Sequence, residues 1–210
     1  MPAKAKNPAP NQVHPGAVFL NIPYDKDFEP LYLAYIVGLV HWGLVPRATL
    51  EISGGTRRLD KIHSLIRSCR YSIHDLSRVE LDGTVQPTPR FNMPFELGMA
   101  VAWELAPENS HTWFVFEAVQ YRLLRSLSDL NGTDPYIHGN EVIGVFGGLC
   151  NAFIRPGAQP TPEQMMRTYI AISFALPEIL KETGAVSPYE ARAFQTLVFA
   201  ARAAMDHHQQ

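Results

Sequence analysis

With 210 residues and a formal net charge of −2, the chain is long enough for one α/β domain carrying a helical appendage, and it has no basic excess to drive non-specific nucleic-acid binding. Its two cysteines, Cys69 and Cys150, fall on apolar faces of predicted helices, the usual setting of buried free thiols in a reducing compartment. Residues 1–15 are too polar and proline-rich for a signal peptide, and the most apolar run, 31–45, is too short to span a bilayer, so a cytoplasmic protein without membrane contact is expected.

Taken in order, residues 1–15 read as a disordered arm of Ala, Pro, Lys and Asn. Ala17-Val18-Phe19-Leu20 is continuously apolar, as in a strand buried on both faces, and the loop Asn21–Asp27 follows it. A helix opens near Pro30 with Leu31, Ala34, Tyr35, Gly38, Leu39 and Trp42 on one stripe, and stops at Gly43. Residues 46–50 form a second strand, and the loop 51–56 leads to a helix with Leu59, Ile62, Ile66 and Cys69 inward. The other side of that helix carries Arg57, Arg58, Lys61, Arg67 and Arg70, a solvated face or a patch that meets phosphates.

A third strand spans 71–77, and the long loop 78–89 has the length of a lid. The next helix holds Glu96. In it, Pro94 suits the first helical position, Asn92 or Met93 the cap, and Glu96 the first turn, where the helix dipole favours an ionised carboxylate. Gly98 there predicts close backbone approach. Trp113–Phe116 is a fourth strand ending at Glu117, a helix carries Val119, Leu123, Leu124 and Leu127, and Tyr136–His138 is a brief fifth strand after the turn Asn131-Gly132. From Glu141 the pattern is helical. Thr161–Gln164 and Ser187–Glu190 both read as capping boxes with proline at the first helical position, and Pro177 bends or ends the helix it falls in.

The alternation of strand and helix over 17–150 predicts an open, mostly parallel sheet with helices on both faces. Ligands of such sheets collect beyond the carboxyl ends of the strands. That rule selects Asn21 to Asp25, Glu51 and Ser53, Asp75 to Arg78, Glu96 and Glu117, a rim of carboxylates whose mutual repulsion calls for a partner. No nucleotide-binding glycine loop, no metal-ligand spacing among the eight histidines and no nucleophile elbow competes with it, and His74 reads as a satisfied core histidine. A lone carboxylate facing a sugar site suits glycosidic cleavage. When the leaving group is already cationic, as nicotinamide is in NAD, no general acid is needed.

Val18-Phe19-Leu20-Asn21, then Ile73-His74-Asp75-Leu76-Ser77-Arg78, then Arg90-Phe91-Asn92-Met93-Pro94-Phe95-Glu96-Leu97-Gly98-Met99-Ala100 resemble the bacterial TIR-like proteins and the related nucleoside 2-deoxyribosyltransferase-like fold. The resemblance covers about 17–150. It implies a flavodoxin-like α/β domain over 16–155, with a C-terminal helical extension over 156–210, and NAD cleavage to nicotinamide and an ADP-ribose product, often in antiphage defence. Glu96 matches the family's catalytic Glu, and Asp75 and Ser77 match its strand-end polar positions.

The expectation is therefore an N-glycosidase acting on NAD or a related nucleotide, with NAD as substrate and no cofactor or metal. Glu96 would stabilise the ribosyl cation, Asp75 and Asn92 would bind ribose hydroxyls, and Tyr24 would stack on the base. Asn21 and Ser77 would complete the substrate contacts, with Arg78 or Arg90 on phosphate. The tail helices would form a homo-oligomer or partner surface. Two alternatives stand beside it: a deoxyribosyltransferase or nucleoside hydrolase, and a non-catalytic TIR-type nucleotide-sensing or assembly module in which Glu96 only caps its helix.

Overall fold

The computed structural model describes residues 13–51, 57–78, 90–107, 109–130 and 132–207. Five strands, β1 (His14–Asn21), β2 (Val45–Ala48), β3 (Cys69–Asp75), β4 (Thr112–Glu117) and β5 (Tyr136–Ile137), are all parallel and stand in the order β2-β1-β3-β4-β5, the flavodoxin-like order. The helices are α1 (Glu29–His41), α2 (Arg58–Ser68), α3 (Asn92–Glu104), α4 (Arg122–Ser126), α5 (Val142–Ala152), α6 (Pro162–Thr183) and α7 (Ala191–His207). None among the described residues is long and apolar enough to cross a membrane.

Alternation along the strands sorts the two faces. Ala17 and Phe19 pack with Ile62, Leu65 and Ile66 of α2 and Ala100 of α3. Val18, Leu20, Ile73 and Phe116 pack with α1 and α5 on the other side. That second core continues through Met165, Ile172 and Leu176 of α6 into Phe194, Leu197 and Ala201 of α7. The helical extension drawn from residue 156 is thus an outer layer sharing one core with the sheet.

This outer layer explains a departure at α1. Its spacing predicts a single buried stripe, yet every residue from Leu31 to Val40 is buried, because the sheet covers one side and α6–α7 the other. A helix covered all round needs apolar residues all round, and its interior carries no charge. Gly38 permits the approach to α5: a Cβ there would stand 2.3 Å from Leu149 Cδ1.

Other boundaries shift for local reasons. Cys69 opens β3 directly after α2 instead of lying in that helix, and His14–Pro15 belong to β1, not to the arm; residues 1–12 lie outside the described part. Thr161 and Gln164 form the expected capping box of α6. Pro177 does not end α6, which runs on to Thr183 and closes on Gly184 at φ 62. The second expected box does not start α7. Ser187 Oγ accepts from Tyr189 N, Glu190 reaches back to Val186 N, and the helix begins only at Ala191. Gly98 meets nothing within 4 Å of an added Cβ, so no neighbour requires it.

Candidate functional site

A cavity of about 380 Å³ opens where the chain order of the sheet reverses, at the carboxyl end of β1 beside β3. That is the place a ligand takes in an open parallel sheet. Asn21 to Tyr24 line it from the loop after β1, Thr49 from the turn after β2, Arg58 from the start of α2, and Arg90, Asn92, Met93 and Glu96 from α3 and its approach. Four of the predicted site residues besides Glu96, namely Asn21, Tyr24, Arg90 and Asn92, are thereby brought together.

Glu96 reaches the cavity because of helical spacing. Met93, Glu96, Leu97 and Ala100 form the buried stripe of α3, and Glu96 occupies a position where a core residue ordinarily sits. The helix begins at Asn92 with Phe91 as cap and no side-chain cap bond. Pro94 is therefore the third helical residue, not the first, Asn92 is not the cap, and Glu96 lies in the second turn, beyond the free N–H groups. The expected dipole stabilisation does not govern it. Burial raises its carboxyl from the ordinary 4.5 to about 7, with Arg58 pulling the other way.

The other carboxylates of the predicted rim are each engaged from within the fold. Glu51 pairs with Arg47 at 3.0 Å and accepts from Ala48 N. Glu117 is held by Arg122, which also donates to Ser77 O, and by Ala118 N. Asp75 turns to the α1 side of the sheet. There it accepts from Tyr35 Oη at 2.7 Å and from Ser77 N and Oγ at 2.9 and 2.5 Å, and it lies 3.2 Å from His138 Nε2. Asp75 is fully buried and Ser77 nearly so, and neither lines the cavity, so the ribose contact expected of Asp75 is not offered. Among the described residues, no hydrogen bond or ion pair engages Glu96. Ser53 and residues 79–89 of the expected lid lie outside the described part.

Asn21 is fixed rather than free. Its Nδ2 donates to His74 Nδ1 and to Met93 O, both at 2.9 Å, pinning the first turn of α3 to the sheet. With Asn21 donating, His74 carries its hydrogen on Nε2 and donates to Ser72 Oγ. The hydroxyl then donates to His111 Nε2, and His111 Nδ1 donates to Cys69 O. Burial and the neighbouring His111 lower His74 to about 3, so it stays neutral as a core histidine. What Asn21 retains for a ligand is its carbonyl oxygen, an acceptor suited to a hydroxyl.

Tyr24 is engaged by Tyr32 and Tyr189, at ring-centroid distances of 6.3 and 5.6 Å, and its hydroxyl is buried beside Thr49 without reaching hydrogen-bond geometry. Burial holds that hydroxyl protonated. The ring is half-buried and forms part of the cavity wall, with its contacts to Tyr32 edge-on and to Tyr189 tilted. Arg78 and Arg90 both reach Asp25, at 3.4 and 3.3 Å. Such partly exposed pairs contribute about 0–1 kcal/mol each. Tyr189 Oη donates to the Asp25 carbonyl at 2.5 Å, so the turn before α7 is tied to the loop that carries Asp25.

Arg58 and Thr49 are missing from the site read from the sequence, and Asp25 stands there only as a member of the rim, with no role. Arg58 is visible there only as one of five basic residues grouped on one face, of which the structure keeps Arg58, Lys61 and Arg67 on α2, and Thr49 has no signal at all. No family model matches the chain, and neither a curated protein nor a solved structure matches it.

Proposed function

We propose that the protein is a TIR-like N-glycosidase that cleaves the nicotinamide–ribose bond of NAD or a related nucleotide. The observation that carries the reading is Glu96, which among the described residues is the rim carboxylate that no hydrogen bond or ion pair engages, buried in a cavity lined also by Arg58 and Arg90. A carboxylate so placed stabilises positive charge developing at the anomeric carbon. The C–N bond breaks with its electron pair going to nicotinamide, which leaves neutral. Water then adds to the ribosyl carbon and releases a proton, giving ADP-ribose. Asn21 Oδ1 and Asn92 serve the ribose hydroxyls, and the arginines serve the phosphates.

The same acid would serve a nucleoside deoxyribosyltransferase, but a plain nucleoside offers Arg58 and Arg90 no phosphate. Assembly through the C-terminal helices fits the exposed Ile170 and Phe174, one turn apart on α6, and Phe199 on α7. The chemistry is tested by incubating the protein with NAD and following nicotinamide release, for wild type and Glu96→Gln. The variant is expected to lose at least about a hundredfold in kcat/KM. Equal rates, or no release from wild type under crowded, assembly-promoting conditions, would sink the proposal.

A further inference from the structure

Arg90, which lines the cavity, is held together with Arg78 by an acid of the protein's own. Asp25 Oδ1 accepts from Arg78 Nη2 at 3.4 Å and Oδ2 from Arg90 Nη1 at 3.3 Å. These contacts are longer than the 2.7–2.9 Å of a good charge-assisted hydrogen bond, and each guanidinium is engaged through a single nitrogen. Most of both donor forks is therefore unused by Asp25. The acid itself cannot follow the arginines. Its carboxylate also accepts from Phe28 N at 3.1 Å, capping the short turn Lys26–Phe28, and Tyr189 anchors its carbonyl.

Arg78 follows β3 and Arg90 precedes α3, so one carboxylate draws together a cation from beyond the end of β3 and a cation from the approach to the helix that carries Glu96. We infer that Arg78 and Arg90 form a phosphoryl-binding subsite at the cavity mouth and that Asp25 is its built-in competitor, setting how tightly a phosphorylated ligand is held. A diphosphate brings at least two negative charges against the single one of a carboxylate, and at least four non-bridging oxygens for the two forks. The ligand class is then a nucleotide carrying a diphosphate, not a nucleoside. The inference rests on the cavity being a ligand site, the same cavity as in the proposed function, and does not depend on the glycosidic chemistry.

The test is calorimetric titration at low salt with ADP, inorganic pyrophosphate and adenosine. The proteins are wild type, Asp25→Asn, Arg90→Gln and the double variant. Asn keeps an oxygen for the cap, so Asp25→Asn folds as wild type does, which its melting curve checks. It is expected to tighten ADP and pyrophosphate by about tenfold and leave adenosine unchanged, the gain shrinking as salt rises. Arg90→Gln weakens ADP, and the double variant loses most of the gain. Unchanged or weaker ADP binding in Asp25→Asn, a gain that survives Arg90→Gln, or no anion binding at all would overturn the inference. Glu96-dependent nicotinamide release with no effect of Asp25→Asn on ADP would remove the subsite and leave the glycosidase. The reverse result would keep the subsite and remove the glycosidase.

Discussion

Glu96 combines two demands that oppose each other. The proposed chemistry needs a carboxylate, and the buried stripe of α3 favours a neutral side chain. Its proton binds more tightly in the folded chain, to about 7, than in the unfolded one, at 4.5. Native stability from this group is therefore full below the ordinary value and is lost as pH rises through about 7. Removing the charge should reverse that. Glu96→Gln is expected to be more stable than wild type at pH 8, by on the order of 3 kcal/mol, and nearly equal at pH 4. Urea unfolding at the two pH values measures it, and a less stable variant at pH 8 would show that the carboxylate has a partner. With the ionised form as the active one, kcat/KM for NAD should climb with pH through about 7 and then level off. A profile flat from pH 5 to 9 would contradict this assignment. The acid itself was readable from Asn92-x-x-Phe95-Glu96-Leu97-Gly98, but its ionisation was not. Reading Pro94 as the first helical residue put Glu96 in the dipole's field, whereas starting the helix at Asn92 turns it inward.

At the scale of elements, two glycines make a contrasting pair. Gly98 in α3 has open space around an added Cβ, so Gly98→Ala should gain about 0.5–1 kcal/mol by removing backbone freedom from the unfolded chain. Gly144 in α5 would place its Cβ 2.2 Å from His138 O, and Gly144→Ala should cost about 1–3 kcal/mol. Thermal melts of the two variants moving in the same direction would refute the reading. Strands and helices were legible because the apolar runs and stripes are local. β1 shows as Val18-Phe19-Leu20 and β4 as Phe114-Val115-Phe116. What local pattern cannot carry is which side of the sheet a strand-end residue faces. Asp75 and Asn21 both end strands, yet Asp75 turns to Tyr35 of α1 and Asn21 to Met93 of α3. That alternation, not composition, divides the predicted rim into a cavity and a sealed polar cluster.

For the molecule as a whole, the α6–α7 pair has a covered side and an open one. The covered side closes over α1, while Phe174 and Phe199 stand 84% and 73% exposed on the other. Light scattering should find wild type as a dimer or larger at tens of micromolar, and Phe174→Ser with Phe199→Ser as a folded monomer. A monomeric wild type would end the idea that a second copy covers them. The layering was only partly readable. The apolar completeness of α1 is plain in the sequence, but what lies on its outer side comes from a segment more than a hundred residues later, and no local pattern links the two.

That separation bears on how the protein is made. α1 leaves the ribosome well before its outer cover, which lies more than a hundred residues further along the chain. At about 5–20 residues per second, residues 42–207 take roughly ten to thirty seconds to synthesise, during which one side of α1 has no native partner. Nascent chains halted before α6 should therefore be bound by chaperones and cut by proteases within α1, and should become resistant only once α7 has emerged.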